Sequence, residues 1–230
     1  MAGISGISNE TITRPSEASK RIFWTLNGPL ESAIQVAPKP YYELGDTMEP
    51  YFRPGPASSW HPVSQEYLME PQVTSITARV QCLDDWEDLW VELNRKCHDT
   101  KNHPLRPRAK HIQLKVTTSG EFLTIHEYVS AVHPWLMGMR EKILYALGKI
   151  DGRGVPWPSE TKLAVLDSGG GPMSIGKEEE WACCHREIKP FVHKSWAERD
   201  ESSRKAQERY KAISAARVRE LERRRQGGNN

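Results

Sequence analysis

A chain of 230 residues, 37% hydrophobic and carrying a net charge of +2, has room for one ordinary domain with extensions or for two small domains. No run of eighteen apolar residues occurs, which excludes a helical membrane span, and four cysteines are too few for a disulfide scaffold. The charge is uneven: from Lys194 onward there are 11 Lys/Arg against 6 Asp/Glu, so the remainder is slightly acidic.

The N-terminal stretch MAGISGISNETITRPSEASK has neither the apolar core nor the cleavage pattern of a signal peptide. A reduced intracellular protein of the cytoplasm or nucleus is therefore expected, with the first twenty or so residues disordered. Residues 1–72 hold nine of the 16 prolines, which prevent long regular elements. They also hold Phe23, Trp24, Tyr41, Tyr42, Tyr51, Phe52, Trp60 and Tyr67, whereas disordered segments are poor in aromatics. The expectation is an extended arm that lays rings on a domain surface, with a partner-binding segment as the functional alternative.

The folded domain is expected over 73–193. In SITARVQC, Ile76, Ala78, Val80 and Cys82 alternate with polar residues, the period of a half-buried strand. A helix follows, with Asp84 and Glu87 as an acidic capping box and Leu83, Trp86, Leu89, Trp90, Leu93 and Cys97 on one face. After the basic loop HDTKNHPLRPRAK, residues 111–117 alternate again through Ile112, Leu114 and Val116. Ser119-Gly120 can then turn the chain into a partner strand, EFLTI. Thr124 and Glu127 offer a second capping box, and Pro134 predicts a kink or a restart in the helix that follows. Leu136, Met139, Ile143 and Leu147 form its buried stripe, with Gly148 as terminator. KLAVLD is the last predicted strand. The sum is an α+β fold, a small mixed sheet in ferredoxin-like βαββαβ order with a long C-terminal helix.

The block TIHEYVSAVHPWLMGMREKIL resembles sequences of an uncharacterised filamentous-fungal protein family, over about residues 110–190. The resemblance implies an intracellular location and carries no activity or site residue.

Two catalytic signatures are spelled in part by LDSGGGPMSIGKEEEW, residues 166–181. Gly171 to Lys177 matches G-x-x-x-x-G-K, but Glu178 stands where a phosphate loop needs Ser or Thr, and Glu179 and Glu180 would repel phosphate. Asp167-Ser168-Gly169 resembles one half of an aspartic-protease pair, and the second carboxylate is missing. Both fragments read more simply as a strand end, a glycine turn and a helix capped by Ser174 or a neighbour. Cys183, Cys184, His185 and His193 lack metal-ligand spacing, as do Cys82, Cys97, His98 and His103. No metal and no cofactor is expected. RNA binding through a ferredoxin-like sheet needs stacking aromatics, and VTSITARVQC has none.

The C-terminal segment 194–230 carries the strongest signal. Ser195 and Glu198 form a capping box, and no proline or glycine interrupts 196–226, a helix of about thirty residues and near 45 Å. Its candidate interaction residues are Arg204, Lys205, Arg209, Tyr210, Lys211, Arg217, Arg223, Arg224 and Arg225, followed by a disordered tip. Three functions follow. The first is a non-enzymatic role in protein interaction. The second is nucleic-acid association through 194–226. The third is an enzyme whose site gathers distant residues, with Asp167, His126, His133 and His185 the first to check.

Overall fold

Residues 22–50 build the middle and one edge of the main sheet, so the segment expected as an arm is part of the core. In this computed structural model the described residues are 13–43, 45–168, 171–187 and Arg204. Short strands β1 (Arg14–Pro15), β2 (Ile22–Thr25), β3 (Ile34–Val36), β4 (Glu49–Pro50), β5 (Phe52–Arg53), β6 (Ser59–Trp60) and β7 (Met69–Glu70) come first, with a turn of helix, α1 (Leu30–Ala33), before β3. Then follow β8 (Ser75–Ala78), α2 (Gln81–Leu93), β9 (Leu114–Thr117), α3 (Ile125–Gly138), α4 (Arg140–Ile150), β10 (Leu163–Asp167), β11 (Ser174–Lys177) and α5 (Trp181–Cys184). The chain divides into units at 187/188, and residues 14–70 belong to the same unit as 73–187.

The α+β class holds; the βαββαβ order does not describe the pairing. The main sheet is five-stranded and antiparallel in the order β11-β10-β2-β3-β4. Among the described residues, strands β8 and β9 pair only with each other, antiparallel, with Ile76 opposite Val116. The physical reason is the alternation of the N-terminal strands. Ile22, Trp24 and Leu26 are buried on one side of the chain, and Ile34 and Val36 answer them across the ladder. Their proline content limited the length of each strand without keeping it from the sheet, since β2 and β3 contain none.

Helix α3 covers the Trp24 face of the sheet. Its N-terminus carries the expected capping box: Thr124 Oγ1 accepts from the Glu127 amide at 3.1 Å, and the Thr124 amide donates back to Glu127 at 2.9 Å. Ile125, Tyr128, Val129, Val132 and Leu136 are buried along it, each worth about 1.5–3 kcal/mol when fully removed from water. The helix runs through Pro134 and breaks at Met139, five residues beyond the expected point.

Three local expectations are corrected. EFLTI forms no strand: Leu123 packs inward, its amide bonded to the Val73 carbonyl at 2.7 Å, and Ile125 already opens α3. Asp84 and Glu87 do not cap α2, which starts at Gln81, where the Gln81 amide is held by the Met173 carbonyl at 2.8 Å. Leu93 and Cys97, placed on the buried face, are exposed because α2 ends at Leu93 and its inner face turns toward Cys82, Leu83 and Trp90.

Gly148 is not a terminator, since α4 continues to Ile150. It is glycine because the backbone of Val155 and Pro156 crosses directly above it, where a Cβ would overlap the Val155 carbonyl. Gly148→Ala should therefore destabilise the protein by about 1–3 kcal/mol, by forcing that loop away. Urea denaturation checks this, and a stabilised variant would refute the close approach.

Candidate functional site

The phosphate-loop and protease fragments resolve into a hairpin. Residues 174–177 are strand β11, paired with β10, and the helical turns begin only after Lys177. The expected Ser174 cap is thus the first residue of a strand, because Ile175 is buried beside β10. Gly176 is needed for packing, as a Cβ there would strike Leu166 and the Glu180 carboxylate.

The four residues to check for an enzyme are not gathered into one site. Asp167 and His185 line the same cavity of about 40 Å³, with Lys20, Ser19 and Trp24, a space fit for water. His185 stacks on Trp181, ring centroids 4.1 Å apart, and its Nδ1 lies 3.0 Å from the Trp181 carbonyl. Burial lowers its pKa. His126 sits elsewhere, its ring 4.5 Å from Trp60 and its Nδ1 3.3 Å from the Tyr51 hydroxyl. Burial lowers its pKa and pushes that of Tyr51 well up. His133 is buried in the core, with Trp24 on one nitrogen and the Gly28 carbonyl on the other. It is a structural histidine. Among the described residues no cluster of three or more His, Cys, Asp or Glu could hold a metal ion, and the four cysteines are free.

Of the basic helix residues, Lys205, Arg209, Tyr210, Lys211, Arg217, Arg223, Arg224 and Arg225 lie outside the described residues, as do residues 1–12. Arg204 is described and is helical and exposed.

A broad groove among the described residues was used by none of these readings. Helix α2 packs against α4 on one side and against the short helical turn Ala109–His111 on the other. Between these flanks Leu83, Trp86, Pro107, Ala109, Ile112 and Tyr145 line a groove of about 540 Å³, with Arg108, Glu141 and Lys142 at its rim. Its volume lies within the roughly 300–1,000 Å³ of ordinary ligand pockets. Trp86 and Tyr145 meet edge to face, ring centroids 6.2 Å apart at 77°. Tyr145 remains 42% exposed, a large surface for an aromatic side chain.

A buried carboxylate fixes the wall opposite α4. Glu87, 3% exposed, accepts from Arg106 Nε and Nη2 at 3.0 and 2.8 Å and from the Lys110 amide at 2.9 Å. Burial alone would raise its pKa. The Lys110 amide and the Arg106 guanidinium outweigh burial, with Lys110 adding its charge, and hold Glu87 below the usual carboxylate value. Outside this clamp, Lys110 Nζ reaches Asp88 at 2.5 Å. The loop that contributes Pro107, Arg108 and Ala109 is therefore tied to α2 at three points.

No protein-family model, curated protein or solved structure matches the chain. Among the described residues no helix is long and apolar enough to cross a membrane.

The groove was missed for a definable reason. The helical period assigned Leu83 and Trp86 to a buried stripe, and periodicity does not say whether a neighbour covers that stripe. Tyr145 was the available signal: it falls off the Leu136, Met139, Ile143, Leu147 stripe, so an aromatic ring was due on the outer face of α4.

Proposed function

We propose that this is a non-enzymatic intracellular protein of the cytoplasm or nucleus that works by binding other proteins, and that the groove between α2 and α4 receives a segment of its partner. The observation that supports this reading is the pairing of exposed Tyr145 with half-buried Trp86 over an apolar floor, with one wall made rigid by the buried Glu87 clamp. Interface hot spots are rich in aromatics seated in preformed concavities, and rigid walls reduce the entropy lost on docking. The ferredoxin-like order and the long basic helix are not needed for this role.

A photoreactive p-benzoylphenylalanine placed at Tyr145 of the full-length protein, and separately at Arg53 on the β5–β6 hairpin, tests the reading in cells. Adducts of discrete mass are expected at Tyr145, not at Arg53, and Ile112→Asp should remove them. Equal adducts at both positions, or none at Tyr145, would overturn it. So would specific turnover of a substrate that a single groove substitution abolished.

A further inference from the structure

The rim of the groove carries more cationic than anionic charge, and its cations are left unspent. Arg108 on one wall and Lys142 on the other have no carboxylate partner among the described residues. The wall's other two cations behave differently, since Arg106 is matched by Glu87 and Lys110 by Asp88. Only Glu141 opposes the excess, and it lies in the first turn of α4, where the helix dipole offsets part of a negative charge.

The floor and walls also restrict the backbone of an occupant. Helices α2 and α4 and the 107–112 segment line the groove, and no strand residue does. A docked segment therefore finds no open strand edge with which to pair its amides and carbonyls. A chain that buries itself there must satisfy its own backbone groups, and the helix does so.

We infer that the occupant is an acidic amphipathic helix of a partner protein, an inference that rests on the groove being a docking site. Apolar side chains spaced i, i+4 and i+7 seat on Leu83, Trp86 and Tyr145, while flanking carboxylates meet Arg108 on one side and Lys142 on the other. Arg108 presents the planar fork suited to a bidentate carboxylate contact. Lys142 adds a second positive charge across the groove, so the pair sets which helices are accepted as well as how fast they arrive.

The test uses three fluorescein-labelled 16-residue helical peptides with one shared apolar face of Leu and Trp. Their remaining positions are Glu in the first, Gln in the second and Lys in the third. Anisotropy with the full-length protein is read at low and moderate salt. The Glu peptide is expected to bind about tenfold tighter than the Gln peptide at low salt, with the gap narrowing as salt rises. Arg108→Glu with Lys142→Glu should reverse the preference toward the Lys peptide, and Tyr145→Ser, at an exposed position that folding tolerates, should weaken all three.

Equal binding of the Glu and Gln peptides that Tyr145→Ser still weakens would sink the acidic partner and leave the groove standing as a docking site. No binding by any peptide, or binding indifferent to Tyr145→Ser, would remove both. A single-stranded oligonucleotide that displaced the Glu peptide from the groove would replace the protein partner with nucleic acid.

Discussion

Glu87→Ala should cost about 3 kcal/mol of folding stability, the lower end of what breaking a buried ion pair costs, because Arg106 keeps 23% of its side chain in water and can partly rehydrate. The loss has two parts. Arg106 is left with a charge whose carboxylate is gone, and the Lys110 amide loses its acceptor. Removing both ionic partners, Glu87→Ala with Arg106→Ala, should cost less than the sum of the two single changes, and a double-mutant cycle in urea isolates that coupling. If the single and double variants add simply, Glu87 is not clamping the 105–112 loop. The same variant should loosen one wall of the groove, so its affinity for a groove ligand falls even at temperatures where the protein stays folded. The pH dependence has a definite sign. The folded pKa lies below the ordinary 4.5, so the contribution of Glu87 is present above that value and drains away as pH falls through the folded pKa.

This clamp shows where the sequence was legible. A helix carrying Leu83, Trp86 and Trp90 on one face was evident from their spacing, although the spacing extended it to Cys97 and the structure ends it at Leu93. The acids at its start were evident too. Their partners were not, because Arg106 lies 19 residues away across a proline-bearing loop, and no local rule links such positions. Local spacing reads Asp84 and Glu87 as caps; in the structure Asp84 pairs with Arg79 just before the helix and Glu87 with the distant Arg106. The Thr124–Glu127 box was legible because both halves of the interaction lie within one turn. The sheet was the opposite case. Ile22, Trp24, Ile34 and Val36 alternate plainly enough, but the pairing of β2 with Ala164 and Val165 spans more than a hundred positions, and the prolines around these strands argue for an arm. As for the groove, its residues were nearly all placed on the right elements. What the sequence could not supply was which neighbour each face lacked.

His133 should titrate below its ordinary value of 6.5 in the native protein, and His133→Ala should cost about 3 kcal/mol. Burial is the main cause of the depression; the Gly28 carbonyl and the charge of Glu31 oppose it without overcoming it. The hydrogen bonds explain why a proton is resisted. Trp24 Nε1 can only donate, at 3.0 Å, so His133 Nδ1 must keep its lone pair, and Nε2 carries the hydrogen donated to Gly28 at 2.9 Å. A second proton on Nδ1 would place two N–H groups head to head inside the core. Replacement by alanine strands the buried Trp24 donor and opens a cavity, each penalty on the order of 1–3 kcal/mol, while the carbonyl of the exposed Gly28 can turn to water. Because the unfolded chain binds a proton more readily, stability from this residue is present above pH 6.5 and is lost as pH falls toward the folded pKa. His61, His126 and His185 are depressed in the same direction, so the pH dependence of wild type minus that of His133→Ala isolates the one residue. A sharper test is an NMR titration of the His133 ring in wild type and in Trp24→Phe. Removing the indole N–H removes the group that forbids the second proton, so the ring should titrate higher in the variant, closer to 6.5. An unchanged midpoint would mean that desolvation alone sets it and that the Trp24 contact has no say in the protonation of this histidine.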